Sequence, residues 1–274
     1  MNYIILSIAL ALVVVLFLII KFKKKSYAIG LDLELHNYIL EYIPFVQSLP
    51  KLDQDIFFKK TQDFMNTHNF IGVETEITSK DKALVAASIV MMIFKSNIDL
   101  TTKIDNIYLS DKPITGSNHG LPGKATGFVR QSNSGTDIYL SRLHLIHGYT
   151  NLDDNKNVGV HEFAHFIDGL DGKIDGFPMA LLPKGDVTEW NLLAQKYMGL
   201  IEAGDTLIDR YATKNRSEFF AVSSEFFFEN PFLMEKKYPE LYHFLAKIYG
   251  TNLASAYRTQ FGAEPKPSSE SNQD

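Results

Sequence analysis

The chain has 274 residues, 45% hydrophobic and 22% charged, the make-up of a folded globular protein with ample length for a core. Its net charge of −5 offers no basic field, which sets nucleic-acid partners aside. It contains no cysteine, so disulfides and thiolate ligands are excluded and any metal site must be built from His, Asp and Glu.

Residues 4–20 form an apolar run broken only by Ser7, continuing past Lys21 to Phe22. At about 1.5 Å per residue such a helix spans a hydrocarbon core of roughly 30 Å. No charged side chain precedes the run, whereas Lys21, Lys23, Lys24 and Lys25 follow it. A secretory signal has its positive charge in front and a small-residue cleavage site behind. The positive-inside rule places the remaining chain in the cytoplasm. The expectation is a single-pass anchor in the cell membrane over residues 1–25, with the rest of the chain facing the cytoplasm.

Residues 26–100 read as mainly helical. Leu31, Leu33, Leu35, Tyr38, Ile39, Tyr42 and Ile43 recur at helical spacing until Pro44 ends the run. Residues 52–67 give a second helix with Ile56, Phe57, Phe58 and Phe64 as core candidates. A third, over residues 78–94, opens at a cap on Thr78 or Ser79. Residues 104–109 and 138–140 read as short strands, separated by a loop and hairpin region holding Gly116, Gly120, Gly123 and Gly127. The strand at Ile138 is expected to be a sheet edge that pairs with an extended substrate.

Next comes Val160-His161-Glu162-Phe163-Ala164-His165-Phe166-Ile167-Asp168. Residues four apart on a helix share a face, so the imidazoles of His161 and His165 can both reach one zinc ion at about 2.0–2.1 Å. Glu162 then lies beside the metal, where a carboxylate can take a proton from an activated water. Histidines that merely hydrogen-bond are the competing reading, but two flanking a glutamate on an apolar helix are costly to bury without a partner. His144 and His147 are cleft candidates, and the other histidines read as surface or core. Asp168 shares the face of both histidines, either accepting a hydrogen bond from one of them or capping the helix and the glycine loop after it.

Beyond that loop, Asp186 or Thr188 opens a helix through Trp190 and Tyr197. Ser217 heads a phenylalanine-rich helix, and a single further helix is expected over residues 231–249. Residues 263–274 are a polar, Pro/Ser-rich tail of disordered composition. Glu218 and Glu225 are charges embedded in the phenylalanine-rich helix, on one face. Either can be the third ligand, and spacing alone does not choose.

The block Val-x-His-Glu-Phe-Ala-His-x-x-Asp, followed by Tyr211-Ala-Thr-Lys-Asn-Arg-Ser-Glu218-Phe-Phe-Ala-Val-x-Ser-Glu, resembles the MtfA family of zinc peptidases. That family is in turn similar to the catalytic domain of anthrax lethal factor. The resemblance covers residues 28–261 and is strongest over 137–140, 157–168 and 211–225. It implies that Glu218 is the third zinc ligand and that Tyr211 helps to stabilise the transition state. A soluble enterobacterial member lacks the apolar run and binds the glucose repressor Mlc, a partner not carried over to an anchored chain.

The resulting expectation is an α+β fold: a mainly helical zincin-like metallopeptidase domain with a small sheet over residues 26–262, preceded by one transmembrane helix. One zinc is held by His161, His165 and Glu218, with Glu162 and Tyr211 catalytic and a peptide or protein as substrate. The rival is a membrane-tethered regulator that sequesters a transcription factor or signalling partner.

Overall fold

The computed structural model describes residues 31–100, 103–112, 114–115, 124–132 and 135–262. The expected anchor at residues 4–22 and the polar tail from residue 263 lie outside them. Among the described residues no helix is long and apolar enough to cross a membrane.

Four helices build the first layer. Helix α1 (Leu33–Tyr42) starts where the Asp32 carboxylate accepts from Leu35 N–H, and Pro44 opens the short α2 (Pro44–Gln47). Helix α3 (Lys51–Thr67) packs on α4 (Ser79–Ile93) through Phe57, Phe58 and Phe64. At the head of α4, the Thr78 hydroxyl accepts from Asp81 N–H while Asp81 accepts from Thr78 N–H, so two otherwise orphaned donors are paired. From Ala83 onward helix α4 is almost wholly apolar, and the fold buries it on every side.

The main sheet has strands β1 (Phe70–Val73), β2 (Ile104–Ser110), β5 (Gly127–Gln131) and β6 (Thr136–Ser141), ordered β1-β2-β6-β5. A separate pair joins β3 (Ile114–Thr115) to β4 (Lys124–Ala125). The first three strands of the main sheet run parallel, and β5 is antiparallel to β6. Ile107, Leu109, Ile138 and Leu140 alternate onto the helical face and are fully buried. The Ile138 strand is therefore an interior strand, not the expected edge. The edge next to it is β5, which begins inside what the sequence reads as a glycine loop. Residues 142–150, to which the sequence reading assigns no element, form helix α5 (Arg142–Thr150).

The second helical layer holds α6 (Val158–Asp168), α7 (Val187–Ala203), α8 (Arg216–Glu229), α9 (Pro231–Lys237), α10 (Pro239–Tyr249) and α11 (Leu253–Phe261). The single helix expected over residues 231–249 is thus two. Pro239 has no N–H to continue the ladder, and Tyr238 before it leaves the helical region at ψ 56°. Helix α8 buries Phe219, Phe220, Phe226 and Phe227 completely, at about 1.5–3 kcal/mol of transfer free energy each. Trp190 packs against Phe219 and Phe220, and its indole N–H donates to Gly176 C=O at 2.6 Å. The architecture is α+β, mainly helical with a small mixed sheet, and α6 lies between that sheet and α8.

Candidate metal centre

Two asparagines start the two helices that meet here. Asn157 Oδ1 accepts from Val160 N–H at the head of α6, and Asn215 Oδ1 accepts from Glu218 N–H at the head of α8. Asn157 also ties the helices together. Its side-chain amide donates to Gly148 C=O in α5, and its backbone N–H donates to Glu225 Oε2 at 2.6 Å. With both helix starts fixed, His161, His165 and Glu218 converge.

His161 Nε2 and His165 Nε2 each lie 3.2 Å from Glu218 Oε2. Ligands about 2.0–2.1 Å from a tetrahedral zinc ion are roughly 3.3 Å from one another. The two distances match edges of such a polyhedron, all three atoms lie within 4.8 Å of one another, and they form the one group of three candidate ligands among the described residues. The proton count points the same way. His161 Nδ1 faces Glu225 Oε1 at 2.7 Å, and a carboxylate only accepts, so Nδ1 carries the hydrogen. A neutral His161 then presents a lone pair at Nε2 to the Glu218 carboxylate, and two acceptors repel. Burial works against charge on His161, yet Glu225 and Glu218 overcome it and raise this imidazole well above its ordinary value. Burial likewise opposes charge on Glu218, and hydrogen bonds to both imidazoles outweigh it, lowering the carboxyl well below its usual range. A proton on His161 relieves one contact; a dication among the three atoms relieves all of them. The donor set fits a metal.

Glu162 is 4% exposed, and its Oε2 has no hydrogen-bond partner. Burial pushes its pKa up to about 8, against the pull of His161. The edge strand passes close by: a Cβ at Gly127 would lie 2.6 Å from Glu162 Cγ and 2.7 Å from Oε1. Gly127 leaves space for this carboxylate, a role the sequence reading did not see. A cleft of about 1020 Å³ opens over the site, walled by Gly127, Val129, His144, His147, Val158 and Tyr211 among others. Tyr211 sits on a short 3₁₀ turn (Arg210–Thr213), 48% exposed, with its ring centroid 6.1 Å from that of His161.

The structure therefore brings His161, Glu162, His165, Tyr211 and Glu218 together. It also separates the two glutamates of α8: Glu218 faces the Nε2 atoms, and Glu225 holds His161 from behind. Asp168 accepts from Gly176 N–H at 2.7 Å, so it secures the glycine loop.

Residues 20–250 match the glucose-regulated metallopeptidase M90 family. The chain belongs to that family. An uncharacterized protein of Synechocystis sp. is 27% identical over 221 residues, which are 76% of this chain and 80% of the other. The Mlc titration factor A of Pectobacterium atrosepticum is 34% identical over 101 residues, or 34% of this chain and 37% of that protein. That of Escherichia fergusonii is 35% identical over 104 residues, 35% and 38% of the two chains. The stretch shared with the titration factors is little over a third of their length. Membership in M90 makes this a metallopeptidase-type protein, and the His-His-Glu group is the place in the described fold where its metal fits.

Proposed function

We propose that this chain is a zinc-dependent peptidase held at the cytoplasmic face of a membrane by residues 4–22. One observation carries the chemistry: two imidazole nitrogens and a carboxylate oxygen converge at 3.2 Å, with a buried, unpartnered carboxylate on the same helix. Three protein ligands leave a fourth position open, as catalytic rather than structural zinc requires. Zinc bound there supplies a Lewis acid that lowers the pKa of water and polarises a carbonyl oxygen.

The chain's own groups do the rest. Glu162 takes the proton of the attacking water and later returns it to the leaving amine. Tyr211 donates to the oxyanion that develops on the scissile carbonyl. Glu225 fixes the tautomer and the ring orientation of His161. Strand β5 holds the substrate in extended form. Ser141 N–H donates to Thr126 C=O, so by antiparallel alternation Phe128 and Arg130 bond to β6. The N–H and C=O of Gly127 and Val129 then face away from β6, available to a peptide strand.

Glu162→Gln is expected to keep zinc and to abolish peptide hydrolysis; unchanged turnover in that variant sinks the mechanism. A second reading is a membrane-tethered regulator that sequesters a protein partner, and the relatives named for titrating Mlc favour it. A cellular phenotype that survives Glu162→Gln would select the regulator.

A further inference from the structure

Lys214 closes the Tyr211 turn, and its ammonium reaches two groups of the site. Nζ donates to the Tyr211 hydroxyl oxygen at 3.0 Å and lies 3.4 Å from Glu218 Oε1. It also stands 4.9 Å from the Tyr211 ring centroid. The lysine side chain is 58% exposed, so as a surface ion pair it adds little stability.

Its direction is what matters. An ammonium has three donors and no acceptor, so the Tyr211 oxygen must accept from Lys214. The phenolic proton is then turned away from Lys214 and free to donate. At Glu218 the same cation engages Oε1, while Oε2 faces both imidazoles. The lysine thus reaches the third ligand only at the oxygen that does not face the imidazoles, whereas at the phenol it meets the single oxygen there is.

We propose that Lys214 is a positioning residue that fixes Tyr211 as a hydrogen-bond donor toward the carbonyl oxygen of a bound peptide. This rests on the peptidase reading. An exposed phenol without a cationic partner turns its proton to whichever acceptor or water is nearest. With Lys214 in place, the acceptor side of the phenol is occupied before substrate arrives, and the donor is organised in advance.

The test uses the zinc-loaded full chain and two probes, followed by calorimetry. Acetohydroxamate reports an accessible metal, and a phosphinic peptide presents a tetrahedral anion where the oxyanion would form. Lys214→Met is expected to weaken phosphinic-peptide binding about tenfold, the scale of one hydrogen bond to a charged acceptor, with zinc content and acetohydroxamate affinity unchanged. Tyr211→Phe is expected to cost the same, and the double variant no more than either alone. Lys214→Arg, which still donates, is expected to recover most of the affinity. Additive losses in the double variant overturn the proposal, because Lys214 then acts independently of Tyr211. So does a parallel loss of acetohydroxamate binding or zinc in Lys214→Met, which would place its action on Glu218. A wild-type chain that takes up zinc and acetohydroxamate but no phosphinic peptide, or takes up no zinc, overturns the peptidase reading and the role of Lys214 with it.

Discussion

Replacing Glu225 with glutamine tests the hydrogen bond behind the metal rather than the metal ligands. Glu225 accepts twice, from His161 Nδ1–H at 2.7 Å and from Asn157 N–H at 2.6 Å. Glutamine has one acceptor oxygen and an NH₂ in place of the other, so one of those N–H groups meets a donor. Leaving a buried donor unpaired costs about 1–3 kcal/mol. Loss of the negative charge also makes His161 a weaker ligand. Partners of this kind typically contribute 10–100-fold to metal affinity, or about 1.4–2.7 kcal/mol. Glu225→Gln is therefore expected to weaken zinc binding by about 10–100-fold. Competition against a chromophoric chelator at fixed pH measures this, with the melting temperature of the metal-free variant as the control for folding. Affinity within about twofold of wild type would refute the assignment of Glu225. So would a fall in metal-free stability with zinc affinity unchanged, since Glu225 would then serve only to join α8 to Asn157.

Glu218→Ala removes a proposed ligand atom outright and is expected to weaken zinc binding beyond the roughly 10–100-fold of Glu225→Gln in the same assay. Gly127→Ala places a methyl within 2.6–2.7 Å of the Glu162 side chain, so that carboxylate must shift. A shift near 1 Å costs about 10² in turnover, so kcat is expected to fall by about that factor with zinc retained. Val129→Pro removes an N–H that faces away from β6, which an edge strand tolerates. Its expected effect is a raised KM for peptides at unchanged melting temperature; unchanged KM would remove β5 as the substrate's partner.

The parts of this molecule that follow from local rules were legible in the sequence. The i, i+4 spacing of His161 and His165 and the apolar residues between them fix the α6 face, because helix geometry is local. The cap at Thr78 marks a start that the structure keeps, whereas Ser217, read as the head of α8, lies just inside a helix that Asn215 caps. The choice between Glu218 and Glu225 was not legible, since periodicity says only that they share a face. Both in fact touch His161, at opposite nitrogens, and which one meets Nε2 depends on how α8 lies against α6. Strand β5 was hidden for a different reason. It is short, half-buried and opens on a glycine, so it lacks the alternation that reveals a strand with one wet face. Gly127 reads as a loop residue until the fold brings it against Glu162, a contact no local pattern encodes.

The gap in sequence between the proposed ligands also bears on how the protein is made. His161 meets Glu218 and Glu225 across 57 and 64 residues, and His165 meets Glu218 across 53. While the chain emerges from a ribosome, the two imidazoles on α6 are exposed long before α8 exists. During that interval they offer a divalent ion a bare pair of nitrogens, with nothing to fix the ring of His161. Tight capture waits until α8 docks, so the metal reports completion of the fold and is selected by the finished protein rather than by the nascent segment.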